Sequence, residues 1–190
     1  MASFPSEFSQ YVGRVSQFTP YDWILYCAWV MSMFGLCGVT GGFLLVGHSA
    51  GVSFPPEAWL VPIGAFTFAA AIAIDTIGHR TLYKQTLAEG EGFVHQITIA
   101  LGVSSVCLII LAYHHRIAVV PALVTTAFSF IYALIDEAFH WRRYLASGID
   151  RVEMWSHVFI FLGHGIMMLG WWWWWSLGYP GVAETIAKLG

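Results

Sequence analysis

The chain has 190 residues, of which 58% are hydrophobic and only 10% charged, and its formal net charge is −3 at pH 7. Soluble domains carry about 25% charged residues, so this composition excludes an ordinary soluble domain and indicates an integral membrane protein. The basic residues are few and scattered, which argues against nucleic acid as a partner. The cysteines, Cys27, Cys37 and Cys107, lie in apolar segments and predict neither disulfides nor a thiolate metal site.

The first 20 residues lack the basic start and the continuous apolar core of a signal peptide. Apolar side chains recur there every three or four residues, which predicts a short amphipathic helix on the membrane surface, with a loosely ordered tail as the alternative. The residues with this spacing are Phe4, Phe8, Tyr11, Val12, Val15 and Phe18.

Five apolar segments are long enough to cross a membrane, which takes about 20 residues in a helix. They are residues 22–47, 58–79, 93–113, 117–141 and 153–177. Proline precedes the first and second segments, at Pro20 and at Pro55 and Pro56, and Gly148 separates the last two. We therefore predict a single all-α membrane domain over residues 1–190, with residues 1–20 at the interface.

Basic residues predict the orientation of this domain, because they are enriched in cytoplasmic loops. One side of the five-span arrangement carries Arg14, Arg80, Lys84, Arg142, Arg143 and Arg151. The other side carries only Arg116 and Lys188. The N-terminus is therefore predicted to be cytoplasmic and the C-terminus to lie outside. The tryptophan run 171–175 then ends the last span at the outer interface, where tryptophans commonly anchor helices.

A pattern of acids and histidines occurs twice in the chain. The segments starting IDTIGHRTLYK at Ile74 and IDEAFHWRRYL at Ile135 each place a His four residues after an Asp. Each following span then opens with a Glu and, four residues later, a His. The four pairs are Asp75 and His79, Glu91 and His95, Asp136 and His140, and Glu153 and His157. We interpret this as a duplicated helical hairpin, residues 58–113 and 117–177, that forms a four-helix bundle.

Side chains four residues apart share one face of a helix. All four pairs also lie at the cytoplasmic ends of their spans, so the bundle predicts a metal site there. The candidate ligands are Asp75, His79, Glu91, His95, Asp136, Glu137, His140, Glu153 and His157. Asp136 and Glu137 are adjacent and point about 100° apart, so only one of them is expected to touch a metal directly. Salt bridges between these acids and the nearby basic residues are the structural alternative.

His164 follows His157 by seven residues, on nearly the same helix face and about 10 Å deeper. Its possible roles are to orient a substrate, to ligate a haem or to carry protons. A hydrogen-bonded core histidine is the alternative.

Carboxylates with imidazoles suit iron, manganese or zinc. The segment Glu137-Ala-Phe-His140 has the Glu-x-x-His form found in four-helix dimetal proteins. At this level of ligand motif, residues 74–160 resemble the non-haem di-iron and di-manganese carboxylate proteins. The other pairs depart from that form by their four-residue spacing. The resemblance implies two metal ions, most simply iron, and an oxidoreductase that uses dioxygen on a lipophilic substrate such as a lipid, a hydrocarbon or a quinol.

Such a hydroxylase, desaturase or quinol oxidase needs an external electron donor, because the sequence has neither a dinucleotide-binding glycine motif nor a cysteine cluster. The alternatives are a haem- or pigment-binding electron-transfer subunit, a metal transporter, a zinc hydrolase and a non-enzymatic subunit of a membrane complex. Facing histidines without carboxylates would favour haem, and ligands at the membrane midplane would favour transport.

Overall fold

The computed structural model describes residues 3–82, 90–147 and 151–190. At Arg143 and Ser147 it describes the backbone but not the side chain. The described chain is helical and contains no β-strand. Its α-helices are α1 (Phe4–Gly13), α2 (Pro20–Ser49), α3 (Pro56–Thr81), α4 (Glu91–Leu111), α5 (Val119–Ser147), α6 (Arg151–Ser176) and α7 (Val182–Leu189). Short 3₁₀ turns at Arg14–Gln17 and Arg116–Ala118 precede α2 and α5.

Five helices, α2 to α6, are long and apolar enough to span a membrane, as the sequence predicts for a multi-pass membrane protein. The largest difference from the predicted spans is at α5, which continues to Ser147 rather than ending near residue 141. The last turns of α5 are polar, so a hydropathy criterion ends the predicted span too early there. Helix α7 is not predicted from the sequence, because its eight residues are too short to produce a span signal.

Helices α3 and α6 make the most extensive contact in the molecule, and glycines allow their backbones to approach closely. A Cβ atom on Gly163 would lie 2.5 Å from the backbone nitrogen of Phe68, and one on Gly64 would overlap the backbone of Met167. Small residues serve this purpose in membrane helix pairs generally. The glycines therefore allow α3 and α6 to pack closely as one unit.

Helices α4 and α5 form a second unit, and α2 packs against α3. Among the described residues, no Cα atom of α4 lies within 8 Å of a Cα atom of α2 or of α3. Neighbours in the sequence, such as α3 and α4, are therefore not the closest neighbours in space. A gap remains between α4 and the α2–α3 surface.

Helix α1 lies against the ends of α3 and α6 that carry the acids and histidines. Tyr11 is buried in a small cluster with Ile77 and Val152, whereas Phe4 and Phe8 remain partly exposed. Glu7 accepts two hydrogen bonds from the guanidinium of Arg151, at 2.8 and 2.6 Å. The amphipathic N-terminal segment is thus helical, and its placement on the membrane surface stays a prediction.

The tryptophan run at the opposite end of α6 divides between core and surface. Trp171 and Trp174 are buried in the main apolar core, while Trp173 is 56% exposed. The indole nitrogen of Trp172 donates to Thr126 Oγ1, and that of Trp174 donates to the carbonyl of Pro180. The interfacial role predicted from the sequence therefore does not suit Trp171 and Trp174, because their indoles are packed in the core. It remains suitable for exposed members of the run such as Trp173.

Candidate metal centre

The helix pairs bring most of the predicted ligands together at one end of the molecule. This end comprises the C-terminal parts of α3 and α5 and the N-terminal parts of α4 and α6. Six of the side chains are at least 95% buried there. These are Asp75, Glu91, Asp136, His140, Glu153 and His157. Such a density of ionisable groups in a buried position calls for charge compensation, since an isolated buried charge is costly.

One group of possible ligands belongs wholly to the α3–α6 unit. Asp75 and His79 on α3 face His157 on α6, and one ligand atom from each lies within 4.8 Å of the others. The Nε2 atom of His157 is 3.0 Å from Oδ1 of Asp75, and the Nε2 atom of His79 is 3.4 Å from Oδ2 of the same carboxylate. Asp75 is therefore the centre of this group.

A second group belongs wholly to the α4–α5 unit. His95 on α4 faces Asp136 and His140 on α5, again with ligand atoms within 4.8 Å of one another. The Nδ1 atom of His95 is 3.1 Å from Oδ2 of Asp136, and the Nε2 atom of His140 is 3.8 Å from Oδ1. The first and second groups share no residue, so the two units could each hold one ion.

A third group joins the first two. Glu153 lies with His140 and His157, and its Oε1 atom is 3.1 Å from Nδ1 of His140. The imidazole rings of His140 and His157 have centroids only 3.7 Å apart, with a 37° tilt between the rings. The two candidate ion positions are therefore close neighbours, with a carboxylate beside both histidines.

Asp136 and Glu137 have different environments. Asp136 contacts His95 and His140, whereas Glu137 Oε1 lies 2.9 Å from Nδ1 of His157. If Nδ1 of His157 donates to Glu137, then Nε2 carries the lone pair and faces Asp75. Glu137 is thus placed to orient a histidine, while Asp136 belongs to a ligand group.

The pair formed by Asp75 and His157 tests whether these residues fit a cation. Oδ1 of Asp75 and Nε2 of His157 are buried, and neither has a partner with hydrogen-bond geometry among the described residues. They are nevertheless 3.0 Å apart. A divalent cation would satisfy both atoms, because a carboxylate oxygen and an imidazole nitrogen are ordinary metal ligands.

The structural alternative, pairing with arginines, is only partly realised in the described part of the chain. Arg80 lies 3.8 Å from Asp22, and Arg151 is paired with Glu7, so both arginines contact acids outside the predicted ligand set. Lys84 and the side chain of Arg143 lie outside the described residues. The ion pairs given for Asp75, Asp136 and Glu137 in the described part of the chain are with histidines.

Among the described residues, Glu91 is not a member of the three groups. Its side chain is buried in the first turn of α4, four residues before His95.

A cavity of about 750 Å³ extends from the acid and histidine cluster along the α6 helix. At one end it touches Asp75, His79, His95 and His157, and deeper in the molecule it reaches His164. Apolar side chains form most of the wall between these ends. They include Met33, Leu36, Ile72, Ile99, Val103 and Ile160. The cavity occupies the gap between α4 and the α2–α3 surface.

His164 marks the deep end of this cavity. Its Nε2 atom lies 3.0 Å from the hydroxyl oxygen of Ser129, and its ring packs against those of Phe68 and Phe130. The sequence does not single out Ser129, because a serine inside an apolar span is usually satisfied by its own helix. The remaining histidines lie elsewhere, with His48 against Trp59 and His114 against Tyr113.

Comparison of the chain with protein-family models, with curated proteins and with solved structures finds no match.

Proposed function

We propose that the chain is a membrane-bound dimetal oxidoreductase that oxidises a lipophilic substrate with dioxygen, most simply with two iron ions. The observation that carries the proposal is the division of the ligands into two groups without a shared residue. One group lies on α3 and α6 and the other on α4 and α5. Two ions held about 3.5–4 Å apart by carboxylates and imidazoles are a recurrent catalytic arrangement.

The chain's own residues have distinct parts in this proposal. Asp75, His79 and His157 would hold one ion, and His95, Asp136 and His140 the other. Glu153 lies beside histidines of both groups, where a carboxylate helps to neutralise two neighbouring cations. Bound iron would supply the redox chemistry with dioxygen, and the protein would position the substrate and exclude water.

The grouping also supports the proposed duplication and four-helix bundle. Each group takes an Asp and a His from the first helix of one copy and a His from the second helix of the other copy. The first group joins Asp75 and His79 with His157, and the second joins Asp136 and His140 with His95. Two copies related by an approximate two-fold axis would produce this exchange.

Other functions fit the geometry less well. The ring centroids of His140 and His157 are only 3.7 Å apart, which leaves no space for a porphyrin between them. A path for metal transport needs polar groups along its length, whereas most of the wall between the cluster and His164 is apolar. An apolar cavity that touches the cluster instead favours a lipophilic substrate.

Metal analysis of the purified protein, together with its visible spectrum, tests the proposal. We expect about two metal ions per chain and no Soret band. His79→Ala should remove the ion of the first group alone, and His95→Ala that of the second, so each variant should keep about one ion. His114→Ala, in the outer turn, is the matched control and should keep both.

Two outcomes would contradict the proposal. The first is a double variant, His79→Ala with His95→Ala, that retains the full metal content. The second is a Soret band that disappears when His140 or His157 is substituted, which would make the protein a haem protein instead.

A further inference from the structure

We infer that the cavity between the acid and histidine cluster and His164 binds a quinol, a lipid-soluble aromatic diol, with one hydroxyl hydrogen-bonded to His164. This inference rests on the proposed function, because it names the substrate of the same centre. The cavity volume of about 750 Å³ falls in the range of roughly 300–1,000 Å³ that is usual for small-molecule sites. A quinone ring with part of an apolar tail suits a site of that size.

The hydrogen bonds at the deep end determine which ligand chemistry fits there. Ser129 Oγ lies 2.8 Å from the carbonyl oxygen of Thr126 and donates to it. The serine oxygen is then the acceptor for Nε2–H of His164, which is 3.0 Å away. The other ring nitrogen, Nδ1, consequently carries a lone pair. A ligand that fits this nitrogen must bring a hydrogen-bond donor such as a hydroxyl group.

The surroundings of His164 favour an aromatic ligand over a flexible aliphatic alcohol. His164 is 8% exposed, and its ring centroid lies 4.8 Å from that of Phe130 and 5.8 Å from that of Phe68. Flat aromatic side chains thus flank His164. A quinol combines a flat ring, a hydroxyl donor and an apolar tail in one molecule.

The route into the cavity and the need for electrons agree with this ligand. The gap between α4 and the α2–α3 surface lies along membrane-spanning helices, so a lipid-soluble molecule can enter from the bilayer. The sequence has no dinucleotide-binding motif and no cysteine cluster, so a donor dissolved in the membrane can supply the electrons.

The reaction balances with dioxygen as the oxidant. Two quinols lose four electrons and four protons as their O–H bonds break, and they become two quinones. One dioxygen molecule takes up the four electrons and four protons and becomes two water molecules. His164 is placed to accept a proton from a quinol hydroxyl, at the end of the cavity away from the cluster.

Calorimetric titration of the purified, metal-loaded protein in detergent tests the site with a decyl-substituted benzoquinol under anaerobic conditions. We expect saturable binding to one site, weakened about tenfold by His164→Ala because a hydrogen bond is lost. His164→Gln keeps a polar group and should bind more tightly than His164→Ala. Ser129→Ala is a small change that should weaken binding even if the histidine variants fold poorly. His48→Ala, at the outer end of α2, should leave binding unchanged.

The metal content of each variant is measured in the same samples, so the two proposals can fail separately. If the protein binds the quinol but contains no metal, the quinol site is supported and the dimetal centre is rejected. Equal affinity of the wild type, His164→Ala and Ser129→Ala for the quinol would overturn the quinol site while leaving the metal centre intact. Competition by decanol as strong as that by the quinol would also overturn it, because the cavity would then recognise only an apolar tail.

Discussion

Two adjacent acids on α5 contact different histidines because they point in different directions from the helix. Asp136 and Glu137 are separated by about 100° around the helix. Asp136 therefore faces His95 on α4, whereas Glu137 faces His157 on α6. In metal sites, a carboxylate that accepts from the distal nitrogen of a histidine fixes the ring orientation and its tautomer. We assign that positioning role to Glu137.

Substitutions at these two acids should have unequal effects on metal binding. Glu137→Gln keeps a hydrogen-bond acceptor for His157, so we expect a loss of about 10-fold in metal affinity, near the lower end for orienting groups. Asp136→Asn replaces a charged ligand and should reduce the metal content to about one ion per chain. Metal titrations of the two variants measure the affinity and the number of ions bound by each. Equal losses would show that Glu137 is itself a ligand.

At the scale of elements, the first group of candidate ligands depends on the close approach of α3 and α6. Glycines at the contact permit that approach. Gly163 lies six residues after His157, and its contact partner Phe68 lies seven residues before Asp75. The close backbone contact is therefore about two turns from the candidate ligands. Side-chain volume inserted at that contact must push the ligand-bearing ends apart.

Gly163→Ala should lower the stability of the folded protein by about 1–3 kcal/mol, since its Cβ atom would overlap the α3 backbone. Gly165→Ala on the same helix is the control, because its Cβ atom would meet only the edge of Phe130, at 3.9 Å. Alanine favours helix over glycine by up to about 1 kcal/mol, so the control should be neutral or stabilising. Thermal unfolding in detergent measures both variants. A Gly163→Ala protein as stable as the control would contradict the close-contact argument.

The docking of α1 should depend on pH through the pair formed by Glu7 and Arg151. The hydrogen bonds from Arg151 hold the pKa of Glu7 below its ordinary value of 4.5. A carboxyl group with a lowered pKa stabilises the folded arrangement above its ordinary pKa, and this contribution is lost as the pH falls through the lowered value. Glu7→Gln should therefore increase proteolysis of α1 at pH 7 and should have a smaller effect at pH 3. An equal effect at both pH values would exclude the ion pair as the cause.

At the scale of the whole molecule, the basic residues predict that the proposed metal centre lies on the cytoplasmic side. Single cysteines introduced at Ser3 and at Gly190, with Cys27, Cys37 and Cys107 replaced by alanine, test this in intact cells. A membrane-impermeant maleimide should label position 190 and not position 3. Labelling of position 3 alone would reverse the predicted orientation.

The sequence predicts the five long helices and the spacing of candidate ligands within each helix, because hydropathy and helical periodicity are local properties. Asp75 and His79 could thus be paired four residues apart without a structure. The partner of that pair, His157, could not be predicted, since it depends on the contact of α3 with α6. The roles of Asp136 and Glu137 could not be separated either, because the rotation of α5 about its axis depends on both neighbouring helices.

Each of the two proposed ligand groups combines residues from both halves of the chain, which has a consequence for its assembly. A cut in the turn before α5 leaves Asp75, His79 and His95 on one fragment and Asp136, His140 and His157 on the other. Neither of the two independent ligand groups then remains complete on one polypeptide. Metal affinity in co-expressed fragments would therefore report reassembly of the halves, and in the intact chain bound ions would act as cross-links between them.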